Sequence, residues 1–224
     1  MFATHARRQL TWVRSSFDGQ DRRWIFRFRQ SATSQWFSST SIVSTTNDTV
    51  VSSKQKQETQ QLLQQIKDAN ARYKGRVGIQ STVDQRGWGL FALTTFQPGD
   101  LVMRGTALEA SPVQTSHSVQ VDWNWHAEMD LPAAFINHLC NQANVGVRPN
   151  DVGAYDFYAL RQVDKDQELL WDYETTEYQI KGFSCLCGSS TCRGELKGFQ
   201  RHKEQVMKAY GKDYIAPYLL RSKE

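Results

Sequence analysis

Three cysteines fall within eight residues, in the run Cys185-Leu186-Cys187-Gly188-Ser189-Ser190-Thr191-Cys192-Arg193-Gly194. Thiols one residue apart seldom bridge each other, because a disulfide restricts the separation and direction of its two Cα–Cβ vectors. Three thiolates on a tight loop suit a soft-accepting ion such as zinc, whose structural sites take four ligands. The fourth cysteine of the chain is Cys140, far upstream, and with it the count closes at four. Redox-inert loop cysteines are the plainer alternative.

Other runs carry less information one at a time. Arg86-Gly87-Trp88-Gly89-Leu90-Phe91-Ala92 places two glycines around one aromatic residue. Phe135-Ile136-Asn137-His138-Leu139-Cys140 sets two polar side chains beside the distant thiol. Glu168-Leu169-Leu170-Trp171-Asp172-Tyr173 puts a tyrosine just after a strand-like run. A lone G-x-G, Asn-His or Asp-Tyr is usually a turn or a satisfied core pair.

Taken in order, however, these runs and the cysteine cluster resemble the SET-domain lysine methyltransferases with a post-SET segment, over roughly residues 76–194. No pre-SET cysteine cluster is present. The resemblance implies a mainly β fold, the β-clip/SET arrangement of short strands with a C-terminal pseudoknot, flanked by an N-terminal helix and a C-terminal helical tail. It implies that Gly87, Trp88 and Gly89 cradle S-adenosylmethionine, with Asn137 and His138 contacting its amino and adenine portions. Tyr173 would stand at the methyl-transfer centre, and Trp171 and Tyr158 along a substrate channel. Zinc held by Cys140, Cys185, Cys187 and Cys192 would clamp the C-terminal loop over the site. The expected partner is a protein bearing a lysine; the alternative is a SET fold that binds without catalysing. Several positions depart from the family: Ala134 stands for a frequent Arg, Leu139 for Ser, and Gln167 for Glu. The loop Cys140–Asn144 is one residue longer and lacks proline. Trp171 occupies a position where Phe or Tyr commonly governs how many methyl groups are added.

The elements that must position these residues follow from pattern. Leu62, Ile66, Ala69 and Tyr73 line one face of an amphipathic helix over residues 54–75, with Gly75 as its stop. Short β-rich runs then follow at 77–81, 88–93, 100–104, 118–123, 154–161 and 168–171, with no long alternating helices, which argues for a mainly β core. A helix is expected at 199–210 and a short apolar turn at 215–220. The domains read as a leader at 1–53, the helix at 54–75, the SET domain at 76–182, a zinc segment at 183–198 and a helical tail at 199–224.

Composition narrows the partners. The 224 residues are 39% hydrophobic and 22% charged, with a net charge of +4. Residues 1–53 hold seven Arg, no Lys and three Asp, so the rest of the chain is formally neutral. A neutral domain lacks the electrostatic footprint of a dedicated nucleic-acid binder, and no direct nucleic-acid contact is expected. No run approaches the roughly 18 apolar residues of a membrane-spanning helix, so no membrane partner is expected. An Arg-rich, Ser-rich, acid-poor leader has the composition of a mitochondrial or plastid transit peptide. Without such an address the location would be nucleus or cytoplasm. The sequence leaves oligomeric state and substrate identity open.

Overall fold

In a computed structural model, residues 53–221 are described, apart from Gln85 and Ser116. The expected leader lies almost wholly outside the described residues. Helix α1 (Ser53–Arg72) buries Ile66 and Ala69, two members of its expected apolar face. Asn70 ties it to the first strand by donating to the Ile79 carbonyl at 3.1 Å and accepting the Ile79 N–H at 2.7 Å. These paired bonds fix the helix against the sheet in one register.

Twelve short strands follow: β1 (Val77–Ser81), β2 (Trp88–Ala92), β3 (Leu101–Arg104), β4 (Ala107–Ser111), β5 (Ser118–Asp122), β6 (Trp125–Met129), β7 (Asn137–His138), β8 (Val145–Pro149), β9 (Tyr155–Ala159), β10 (Leu170–Trp171), β11 (Phe183–Ser184) and β12 (Glu195–Leu196). They form four small sheets: β1-β2, β3-β9-β8-β10-β7, β4-β6-β5 and β11-β12. A second helix, α2 (Phe199–Tyr210), and a 3-10 turn at Pro217–Leu220 close the described chain. The fold is therefore mainly β with a helix at either end, as the sequence predicts.

Two features of this topology build the site. Strand β10 runs parallel to β7, with Leu170 opposite Asn137 and Trp171 opposite His138. Its other neighbour is β8, so the segment leading to Tyr173 is enclosed by the strands that precede and follow Cys140. Strand β2 meets the same segment from the side, through an isolated bridge from Phe91 to Glu168 and a 2.7 Å bond from Leu169 N–H to the Leu90 carbonyl. Three runs far apart in sequence thus share one place.

Candidate active site and metal centre

Gly87 has φ = +86°, a left-handed conformation that a side chain disfavours, and its carbonyl accepts the Thr82 N–H at 2.8 Å. Gly89 is required by space instead: a Cβ there would lie 2.6 Å from Glu168 Oε1 and 3.1 Å from Asn137 Nδ2. The buried Asn137 amide donates to the Trp88 carbonyl at 3.0 Å and to Glu168 Oε1 at 2.8 Å. Arg86 grips Glu168 with both terminal nitrogens, at 2.9 and 2.7 Å. This bidentate fork, together with Asn137, fixes the glycine turn against the strand that leads to Tyr173.

Tyr173 opens a 3-10 turn (Tyr173–Thr175) in which the Asp172 side chain accepts the Glu174 N–H. Its hydroxyl donates to the Ile136 carbonyl at 2.9 Å, and its ring lies 5.1 Å from His138 and 5.0 Å from Trp171. Burial holds the Tyr173 phenol well above its ordinary pKa. Trp171 is 4% exposed, is pinned by a 2.8 Å bond from its Nε1 to Thr175 Oγ1, and meets Phe157 edge-on at 5.8 Å.

Tyr158 requires a correction. Successive side chains of a strand face opposite sides, so with Phe157 against Trp171, Tyr158 faces away. Its ring instead carries the Arg148 guanidinium at 4.8 Å, and that cation also lies over Tyr214 of the tail. Phe157, which the sequence reading passed over, is the residue of this strand that walls Trp171.

The thiols meet as well. Cys140 Sγ and Cys185 Sγ are 3.7 Å apart, and the Cys140 N–H points to Cys187 Sγ at 3.5 Å. Two ligands bound tetrahedrally to zinc at about 2.3 Å would be separated by about 3.8 Å, so the spacing fits a zinc edge and is far too long for a disulfide. The close Cys185 sulfur and burial both push the Cys140 thiol pKa upward. The donor atoms of His138, Cys140, Cys185 and Cys187 all lie within 4.8 Å of one another. Cys192, expected as a ligand, is outside that compact group although packed against it. Its sulfur is turned toward its own loop, accepting the Gly194 N–H at 3.4 Å and lying 3.8 Å from the Cys185 carbonyl.

His138 also departs from expectation. The Tyr173 N–H donates to its Nδ1 at 3.2 Å, so in the neutral ring the proton sits on Nε2, which is 3.1 Å from Cys140 Sγ. Burial, with Arg193 nearby, drops the His138 pKa to about 4 despite the opposing pull of Asp172, so the ring is neutral near pH 7. Both ring nitrogens are thus engaged within the protein. Asp172, Glu174 and Arg193 were not singled out from sequence; their positions next to Tyr173 and Cys192 were the available signal.

Residues 87–174 match the family model described as the SET domain. The histone-lysine N-methyltransferase SUVR4 of Arabidopsis thaliana is 30% identical over 53% of this chain and 32% of its own length. An H3 lysine-4 specific histone-lysine N-methyltransferase of Aspergillus oryzae is 28% identical over 49% of this chain and 11% of its own. The chain thus spans about a third or less of these two relatives. The crystal structure of KRYPTONITE in complex with mCHG DNA and SAH aligns with a TM-score of 0.45 and 19% identity, over 55% of this chain and 29% of that one. The glycine turn, Asn137-His138 and Tyr173 all lie inside the matched span, and residues 87–174 form a SET domain.

Proposed function

We propose that this chain transfers a methyl group from S-adenosylmethionine to a lysine side chain of a protein substrate. The observation that carries the reading is the meeting of Tyr173, Asn137 and the Gly87–Gly89 turn around one place, on three runs that are remote in sequence. When bound, S-adenosylmethionine supplies an electrophilic methyl group; Gly87, Trp88, Gly89 and Asn137 would hold it.

The attacking amine must be neutral, whereas free lysine has a pKa of about 10.4, a cost of roughly 4–5 kcal/mol near pH 7. Tyr173 is no base for that proton: its phenol is held protonated by burial and donates to the Ile136 carbonyl. Its oxygen lone pairs can instead accept an N–H of the amine and aim the nitrogen, and alignment is a large source of acceleration. Apolar Trp171 and Phe157 next to it disfavour a charged ammonium by desolvation.

Zinc would be held by Cys140, Cys185, Cys187 and Cys192, with His138 donating its Nε2 proton to the Cys140 sulfur rather than ligating. The tautomer supports this assignment, since a ring nitrogen that carries the proton cannot also bind metal. The leader at 1–53 would deliver the protein to an organelle, which a fluorescent fusion would reveal. The activity is tested by incubating cell lysate with pure protein and isotope-labelled S-adenosylmethionine, then locating label by mass spectrometry. Label on lysine Nε atoms is expected; none above a no-enzyme control would refute the reading.

A further inference from the structure

Three charged side chains withdrawn from solvent meet beside Tyr173, and the transfer described above uses none of them. Asp172 and Glu174, its two neighbours in sequence, have side chains 0% exposed, and Arg193 is 1% exposed. Two buried carboxylates demand a cation, because an unpaired buried charge is strongly unfavourable. Arg193 meets that demand with a fork: Nη2 donates to Asp172 Oδ1 at 2.6 Å and Nη1 to Asp172 Oδ2 at 2.9 Å. Nη1 also donates to Asn141 Oδ1 at 2.7 Å. Nε lies 3.0 Å from Glu174 Oε2, a charge contact whose N–H is not aligned as a hydrogen bond.

The remaining partners tie the same two carboxylates to the Cys140 loop and to the C-terminal chain. Asp172 Oδ2 accepts the Asn141 N–H at 2.9 Å and the Tyr210 hydroxyl at 3.1 Å. Glu174 Oε1 accepts the Lys197 and Gly198 N–H groups at 2.8 and 2.9 Å, and its Oε2 lies 2.8 Å from His202 Nδ1. Tyr173 sits between two residues that are both gripped from the cysteine arm. The backbone that carries its ring is therefore anchored on both sides, while the ring itself is held by the Ile136 carbonyl, His138 and Trp171.

We propose that Arg193 is a positioning residue for methyl transfer: docking of the cysteine arm delivers its guanidinium between Asp172 and Glu174 and thereby sets the placement of Tyr173. The effect on rate rests on the methyltransferase reading; the placement does not. Lysine cannot replace the fork, being a point charge on a flexible stem.

The test uses the full chain with 3-fluorotyrosine introduced at position 173 and compares wild type with Arg193→Lys. The variant should keep its zinc, shift or split the fluorine resonance, and lower kcat by roughly tenfold or more with the KM for substrate nearly unchanged. If Arg193→Lys does not fold, Asn141→Ala, which removes an acceptor of Arg193 and the donor to the Thr191 carbonyl but no charge, should displace the resonance in the same sense. An unmoved resonance in a folded variant overturns the proposal. A moved resonance in a protein whose wild type transfers no methyl group upholds the placement and sinks the methyltransferase reading instead.

Discussion

Adding one methyl group at Gly89 probes the site from its tightest point. The Cβ of Gly89→Ala would lie 2.6 Å from Glu168 Oε1, 3.0 Å from Thr82 Cγ2 and 3.1 Å from Asn137 Nδ2. Ordinary contacts need about 3.5 Å, so the carboxylate must retreat by most of an ångström. That oxygen holds both Asn137 Nδ2 at 2.8 Å and Arg86 Nη1 at 2.9 Å, so it cannot move without loosening one of them. Overpacking of this kind costs about 1–3 kcal/mol, and a buried amide stripped of a partner costs a similar about 1–3 kcal/mol. Both penalties arise from the same displaced atom, so they do not simply add. At about 2–4 °C per kcal/mol for a chain of this size, melting should fall by several degrees. Calorimetric titration of S-adenosylmethionine into the folded variant should show affinity reduced by about tenfold, equivalent to 1.4 kcal/mol. Unchanged melting together with unchanged affinity would refute the claim that Gly89 is fixed by this network and that the network shapes the cofactor cradle.

Glu177 predicts a pH effect. Burial raises its carboxyl from 4.5 to about 7, against the bonds it accepts from the Gln120 N–H and Gln114, while His126 Nε2 lies 3.8 Å away. The folded state therefore binds this proton more tightly than the unfolded chain. The contribution of this carboxyl to stability is greatest below pH 4.5 and is lost as pH rises through about 7, by at most about 3 kcal/mol. Glu177→Gln should flatten that decline in denaturant titrations at pH 5 and pH 8; an identical pH dependence in variant and wild type would contradict it. For the metal centre, protein loaded with Co2+ should lose about a quarter of its thiolate charge-transfer absorption in Cys192→Ser and almost none in His138→Gln. The opposite pattern would make His138 the ligand and Cys192 the bystander.

How much of this was legible depends on the kind of signal. Strand β1 and helix α2 stand at their expected bounds, and β2, β3 and β5 within a residue, because β-branched and aromatic runs between turn residues declare themselves. Strand β8 was not among the expected runs: Val145–Pro149 carries a glycine and a proline, which weaken a strand signal. Gly146 is there because Tyr214 and Leu160 pack where its side chain would be. That contact comes from the tail and leaves no local trace. Strand β4 was missed for another reason: Ala107–Ser111 is mostly exposed and lacks β-branched residues.

In the site, the cysteine spacing pointed to a shared cluster, but not to which donors would stand closest, because that depends on how the His138 ring turns. Tyr158 was named through the resemblance alone, and the neighbouring Phe157 faces Trp171 because successive side chains of a strand alternate sides. Arg193 was invisible for a different reason. A lone arginine after a cysteine says nothing until folding brings two carboxylates to it.

The most direct measurement of the central claim is turnover of Tyr173→Phe on an unmethylated acceptor protein identified by the labelling experiment, alongside its zinc content and its affinity for S-adenosylmethionine. Removing the oxygen that aims the amine should lower kcat by about a hundredfold or more while zinc and cofactor binding stay at wild-type levels. Turnover near that of wild type in a folded, zinc-replete Tyr173→Phe protein would contradict the account.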